Sequence, residues 1–148
     1  MASPVPPLVR RTEITQATLD RFIGRAFAWG QADCAQLAAF HLRAMGHKVL
    51  LSKAGRYRSA LGAAKALKRA GFANLTEALD AHGLEQIAPA SALPGDIIAI
   101  PHDPKQPEAL MIVLTNGRVL GWVDDVEGAA VLQPVQYLRG WRVPCLKR

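Results

Sequence analysis

The chain has 148 residues, half of them hydrophobic, two cysteines and a formal net charge of +6. That length and apolar content suit one domain with its own core, and no apolar run approaches the roughly 18 residues that would be read as a membrane span. The positive balance suits a polyanionic partner, yet it is spread over Arg10, Arg11, Lys147, Arg148 and one helix face without an aromatic-interleaved basic stripe, so nucleic acid is not the expected partner.

Met1 to Arg11 carries three prolines and two arginines and little apolar surface. The expectation is an extended N-terminal arm over residues 1–14 that docks on neighbours, followed by a single domain over 15–148. The first residues hold no apolar stretch of the signal-peptide kind, so the protein is expected to be made in the cytoplasm without a secretion route of its own. Thr15 can cap a short helix through Phe22-Ile23, ended by Gly24.

Asp33 is a good N-cap for a helix running to about Met45, stopped by Gly46. Cys34 then sits in the first turn, where unpaired N–H groups and the positive end of the helix dipole favour a thiolate. A small buried hydrophobe is the commoner role for a free cysteine. His41 shares the Cys34 stripe but lies about 10 Å farther along the axis, too far to be its base, and is expected to be half-buried. Cys34 and Cys145 occur in no metal-ligand spacing, so both are expected to be reduced thiols, with no metal or cofactor.

Ser59 to Ala70 reads as a second clear helix, with Leu61, Ala64 and Leu67 facing in and Lys65, Lys68 and Arg69 facing out. Asn74-Leu75-Thr76-Glu77 has capping-box form and opens a short helix closed near Gly83, with His82 on the surface. From Pro94 the period changes. Asp96 to Ile100 is a buried strand closed by Pro101 and a loop from His102 to Pro107. Leu110 to Thr115 and Arg118 to Val123 are strands joined by an Asn116-Gly117 hairpin turn, and Val131-Leu132 and Gly140 to Val143 complete an antiparallel sheet. Helices first and strands after is an α+β pattern.

Trp29-Gly30 followed by Asp33-Cys34 at the head of a helix, with Pro94-Gly95-Asp96-Ile97-Ile98 and the later hydrophobic hairpin, resembles the NlpC-type cell-wall peptidases of the papain-like class. The run Gly55-Arg56-Tyr57-Arg58-Ser59-Ala60-Leu61-Gly62 makes the chain more similar to an uncharacterised phage-associated branch of them. The resemblance spans roughly Phe22 to Val143. It implies a papain-like fold of N-terminal helices on a small antiparallel sheet, with Cys34 in the nucleophile position. It also implies a histidine opening the strand before the hairpin, in a His-Val-Gly-Ile-type run, and an orienting polar residue in the strand after it. Laid over this sequence, those positions fall on Ala109 and near Gly121, neither of which can titrate or hydrogen-bond through a side chain. His102 and Asp124 are the candidate substitutes, as base and orienting carboxylate.

Loss of the base from a cooperating triad typically costs several powers of ten in rate. The resemblance therefore implies a non-catalytic relative, a structural component of a phage, prophage or gene-transfer-agent tail near its distal tip. Such a protein would be made in the host cytoplasm and built into the particle, with other tail or tail-tip proteins as partners and a peptidoglycan peptide as a further candidate ligand. The alternative is an active cysteine peptidase cutting peptidoglycan peptides during infection, with Cys34 as nucleophile, His102 as base and Asp124 orienting it.

Overall fold

The structure, a computed structural model, describes residues 5–50, 55–103 and 106–147; residues 1–4 of the expected arm, Pro104 and Lys105 of the expected loop, and Arg148 lie outside them. The α+β class is observed. Four helices, α1 (Pro7–Phe22), α2 (Cys34–Ala44), α3 (Ala60–Arg69) and α4 (Leu75–Ala81), precede a six-stranded sheet. Its strands are β1 (Glu85–Ile87), β2 (Ile97–Asp103), β3 (Gln106–Val113), β4 (Val119–Gly121), β5 (Ala130–Leu132) and β6 (Arg139–Arg142), in the order β1-β6-β2-β3-β4-β5, and every pairing is antiparallel.

The expected arm is helical from Pro7 onward, and the helix expected to be capped by Thr15 is instead preceded by Pro6, nine residues earlier. Proline fits the first turn because its missing N–H has no intrahelical partner there. The buried stripe of α1 is Arg11, Thr15, Thr18 and Phe22, so three of its four inward residues are polar and a search for apolar periodicity passes over it. What holds the stripe down is hydrogen bonding to the rest of the fold. Arg11 donates from Nη2 to Asp96 Oδ1 at 2.8 Å and from Nη1 to the Val143 carbonyl.

Asp33 caps α2 as expected, accepting from the Gln36 N–H at 2.8 Å. Leu37, Ala38 and Leu42 of α2 share a core with Ile97, Ala99, Leu110, Ile112, Leu120 and Trp141, the helix-facing side of the sheet. Ile98, Ala109, Met111, Val113 and Val119 form a separate cluster on the outer side, with Ile100 packed against it. α3 departs from expectation. Ser59 caps it, but Ala66 is its one buried residue and Leu61 is 66% exposed. The apolar stripe of α3 lines a groove instead of joining the core.

Two strand boundaries also differ. β2 continues through Pro101 and His102, pairing Ile100 with Ala109 and Pro101 with Glu108. Beyond Ala99, β2 has β3 on one side only, an edge position where proline is tolerated. The β3–β4 connection holds three residues, Thr115 to Gly117, with Asn116 at φ 66°, and Val113 stands opposite Val119. The two-residue turn expected at Asn116-Gly117 would have paired Val113 with Leu120. Asp124 is therefore not in register with Ala109.

Candidate functional site

The site is an open groove of about 810 Å³ between α2, α3 and the segment around Tyr57. Cys34 lies in it, half-buried at the head of α2, with Trp29, Asp33 and Gln36 beside it and Glu108 of β3 at another point of the wall. Two stretches of sequence meet here that nothing local would join. Tyr57 donates its hydroxyl to Asp33 Oδ2 at 2.7 Å, and the same carboxylate accepts the Gly30 N–H at 2.8 Å on Oδ2 and the Gln36 N–H at 2.8 Å on Oδ1. Gln36 Nε2 reaches the Tyr57 hydroxyl at 3.4 Å. Gly30 is required for this approach. Its φ is +79°, and a Cβ built there would sit 2.2 Å from the Tyr57 carbonyl oxygen.

At Cys34, burial and the capping carboxylate act against the thiolate that the head of a helix would favour. The thiol pKa is pushed up to about 11, by burial first and by the negative charge of Asp33 beside it. The N–H groups of Leu110, Cys34 and Ala35 pull the other way without prevailing. A helix N-terminus lowers a thiol pKa when the sulfur is solvated or cation-paired; here desolvation and the capping carboxylate outweigh the dipole. Alkylation by iodoacetamide is expected to show a rate midpoint well above the value of about 8.5 for a free cysteine. A midpoint below that value would mean that the N–H groups dominate after all.

The structure brings His102 and Asp124 together but not into this groove. His102 Nε2 stands 3.9 Å from Asp124 Oδ1, and neither residue is among those lining the groove. Strand alternation gives the reason: His102 has the parity of Ile98 and Ile100, on the sheet face turned away from α2. Ala109 and Gly121 are also on that outer side. Ala109 packs with Met111, and a Cβ on Gly121 would meet the Met111 sulfur at 1.8 Å. Of the helix-facing residues of β3, Leu110 directs its N–H at the Cys34 sulfur and Glu108 lines the groove elsewhere. Glu108 is already engaged, with Arg139 at 2.9 Å and with the Thr76 hydroxyl.

His41, expected half-buried, is fully buried and lies away from the thiol. Nε2 donates to the Gly95 carbonyl at 2.8 Å, which leaves Nδ1 to accept from the Thr18 hydroxyl at 2.8 Å. His82, expected on the surface, is half-buried: Nδ1 donates to the Ala78 carbonyl and Nε2 accepts the Leu50 N–H at 2.8 Å. Among the described residues, no cluster of His, Cys, Asp or Glu is arranged to hold a metal ion, and no helix is long and apolar enough to cross a membrane.

No curated protein matches the sequence. Among solved structures, the chain is similar to RipD from Mycobacterium tuberculosis, described as a non-catalytic NlpC/p60 domain protein with an adaptation to peptidoglycan-binding function. The identity is 16%, the TM-score 0.46, and the match covers 90% of this chain and 97% of that one. Residues 9–143, nearly the whole domain from the first turn of α1 to the end of the sheet, match a family model. The chain thus belongs to the family described as Domain of unknown function (DUF6950).

Proposed function

We propose that this protein is a non-catalytic member of the papain-like, NlpC-type class, acting by binding as a structural component of a phage, prophage or gene-transfer-agent tail, near its distal tip. The observation that carries the non-catalytic half is the Cys34 groove itself. Burial and Asp33 push the pKa of its thiol up, and among the described residues no imidazole lines the groove to take or return a proton. The tail setting rests on the resemblance carried by Trp29 to Cys34 and Gly55 to Gly62. In that setting the protein is made in the host cytoplasm and built into the particle beside other tail proteins, with a peptidoglycan peptide as a further candidate ligand.

The test is a substitution at the sulfur. Cys34→Ala is expected to leave peptide release from purified peptidoglycan at the level of the unsubstituted protein, and particle assembly and infectivity nearly unchanged. Turnover that disappears with Cys34→Ala would establish chemistry at the thiol and overturn the reading. His102→Ala would then decide whether the outer-face imidazole takes part.

A further inference from the structure

We propose that the groove is a docking site for one short, acidic, amphipathic helix of a partner protein. This rests on the reading of the groove as a binding surface, and it names the occupant.

The two facing walls are helices with small or apolar side chains. Ala35 and Ala39 of α2 lie one turn apart, and Ala60, Leu61, Ala64 and Leu67 of α3 stand opposite. Small residues let another backbone come close, and Leu61, 66% exposed, offers an anchor that the fold itself leaves in water. An apolar stripe on a capped ten-residue helix that contributes only Ala66 to the interior is an unpartnered face.

The backbone decides the form of the occupant. Of the first-turn N–H groups of the two walls, Gln36 and Gly62 donate to the capping side chains Asp33 and Ser59, Leu37 and Ala63 to the carbonyls of those same residues, and Cys34 and Ala35 face the Cys34 sulfur, so the walls present no ladder of alternating donors and acceptors. The edge strands β1 and β5 contribute no described residue to the groove, and β3, whose N-terminal half is paired with β2 alone, contributes only Glu108. An extended peptide laid between these walls would bury N–H and C=O groups without partners, whereas a helix satisfies its own.

Charge decides its composition. Both acids in the groove are engaged, Asp33 by three donors and Glu108 by Arg139 and Thr76. Arg43 and Arg56 are exposed, and their guanidinium groups make no hydrogen bond or ion pair among the described residues. The groove therefore presents two unengaged cations beside an apolar floor, which complements a helix with an apolar stripe flanked by carboxylates.

The experiment is selection from a displayed library of randomised peptides of about 15 residues, near the length at which isolated helices become marginally stable. The selected peptides are then titrated calorimetrically into the full chain. Expected are sequences with apolar residues at i, i+3 or i+4, and i+7, flanked by Asp and Glu, whose binding is lost when proline replaces a central residue. Leu61→Asp, at an exposed position that the core does not need, should weaken binding by at least about tenfold, as should Arg43→Glu with Arg56→Glu. The charge effect should shrink at high salt. Failure to enrich any sequence, enrichment of basic or proline-containing extended sequences, or binding indifferent to Leu61→Asp would each overturn the proposal. None of these outcomes involves Cys34, so they leave the non-catalytic reading standing or falling on its own test.

Discussion

Asp96→Ala is expected to remove a large part of the stability of the domain. The carboxylate is fully buried. Its Oδ1 accepts from Arg11 Nη2 at 2.8 Å and from the Val143 N–H at 2.9 Å, while Oδ2 accepts the Leu93 N–H at 2.8 Å and pairs with Arg142 Nε at 3.0 Å. One side chain thus joins α1, the turn before β2 and the end of β6. Truncation leaves the buried Arg11 guanidinium without its counter-ion and two backbone donors without acceptors. Breaking a buried pair from one side costs about 3–5 kcal/mol, against a net stability of about 5–15 kcal/mol for a domain. The urea midpoint should fall accordingly. Arg142→Ala, at a side chain 31% exposed, should cost about 1 kcal/mol or less, as partly exposed pairs do. An Asp96→Ala protein within about 1 kcal/mol of the unsubstituted chain would show that the network is replaceable by water.

The same network changes what an N-terminal truncation can report. Deleting residues up to Arg11 removes a buried cation of the fold, not a loose arm, so a loss of incorporation into particles would measure folding before it measured docking. Docking is read more cleanly at the exposed Leu8 and Val9 of α1.

Much of the fold was legible because its signals are local. Asp33, Ser59 and Asn74 cap their helices through their own side chains, and capping chemistry is written within four residues of sequence. The second half of α1 was legible from Thr15 to Phe22, but its first half was hidden because the residue holding it down is Arg11, whose partner lies as far away as Val143. The strand cores were legible from their alternation, but not their facing. One extra residue in the Thr115–Gly117 turn shifts the hairpin register, and a one-residue slip exchanges the two faces. That slip moves Asp124 out of register with Ala109, which itself turns away from α2 because it alternates with the inward Leu110 on β3. The groove was half legible. Cys34 and its cap were found, whereas the Tyr57–Asp33 hydrogen bond spans 24 positions and Leu61 looked inward by periodicity alone.

Stability is expected to fall as the pH drops from about 6.5 toward 4, with His41 as a principal cause. Its pKa is lowered to about 4, by burial first, with the charges of Arg11 and His47 acting in the same direction; the Gly95 carbonyl and Asp96 oppose the shift without reversing it. The sign follows from proton counting. Between about pH 6.5 and pH 4 the unfolded chain binds a proton that the folded chain refuses, so unfolding is favoured progressively as pH falls, and the loss is complete below the folded value. A separation of this size amounts to about 3 kcal/mol. Protonation would also make Nδ1 a donor, so the Thr18 hydroxyl, 2.8 Å away, would have to turn its proton to the Ile14 carbonyl at 3.1 Å and accept instead, while Nε2 keeps the Gly95 carbonyl. Carboxylates contribute to acid sensitivity in any protein, so the informative quantity is the difference from a His41→Gln variant, which keeps a donor and an acceptor but does not titrate. Urea denaturation of both proteins from pH 7 to pH 4 should give curves that converge as the pH falls, the unsubstituted chain losing more. Parallel curves, or an imidazole NMR signal of His41 that titrates near 6.5 in the folded protein, would show that the buried ring accepts its proton at little cost.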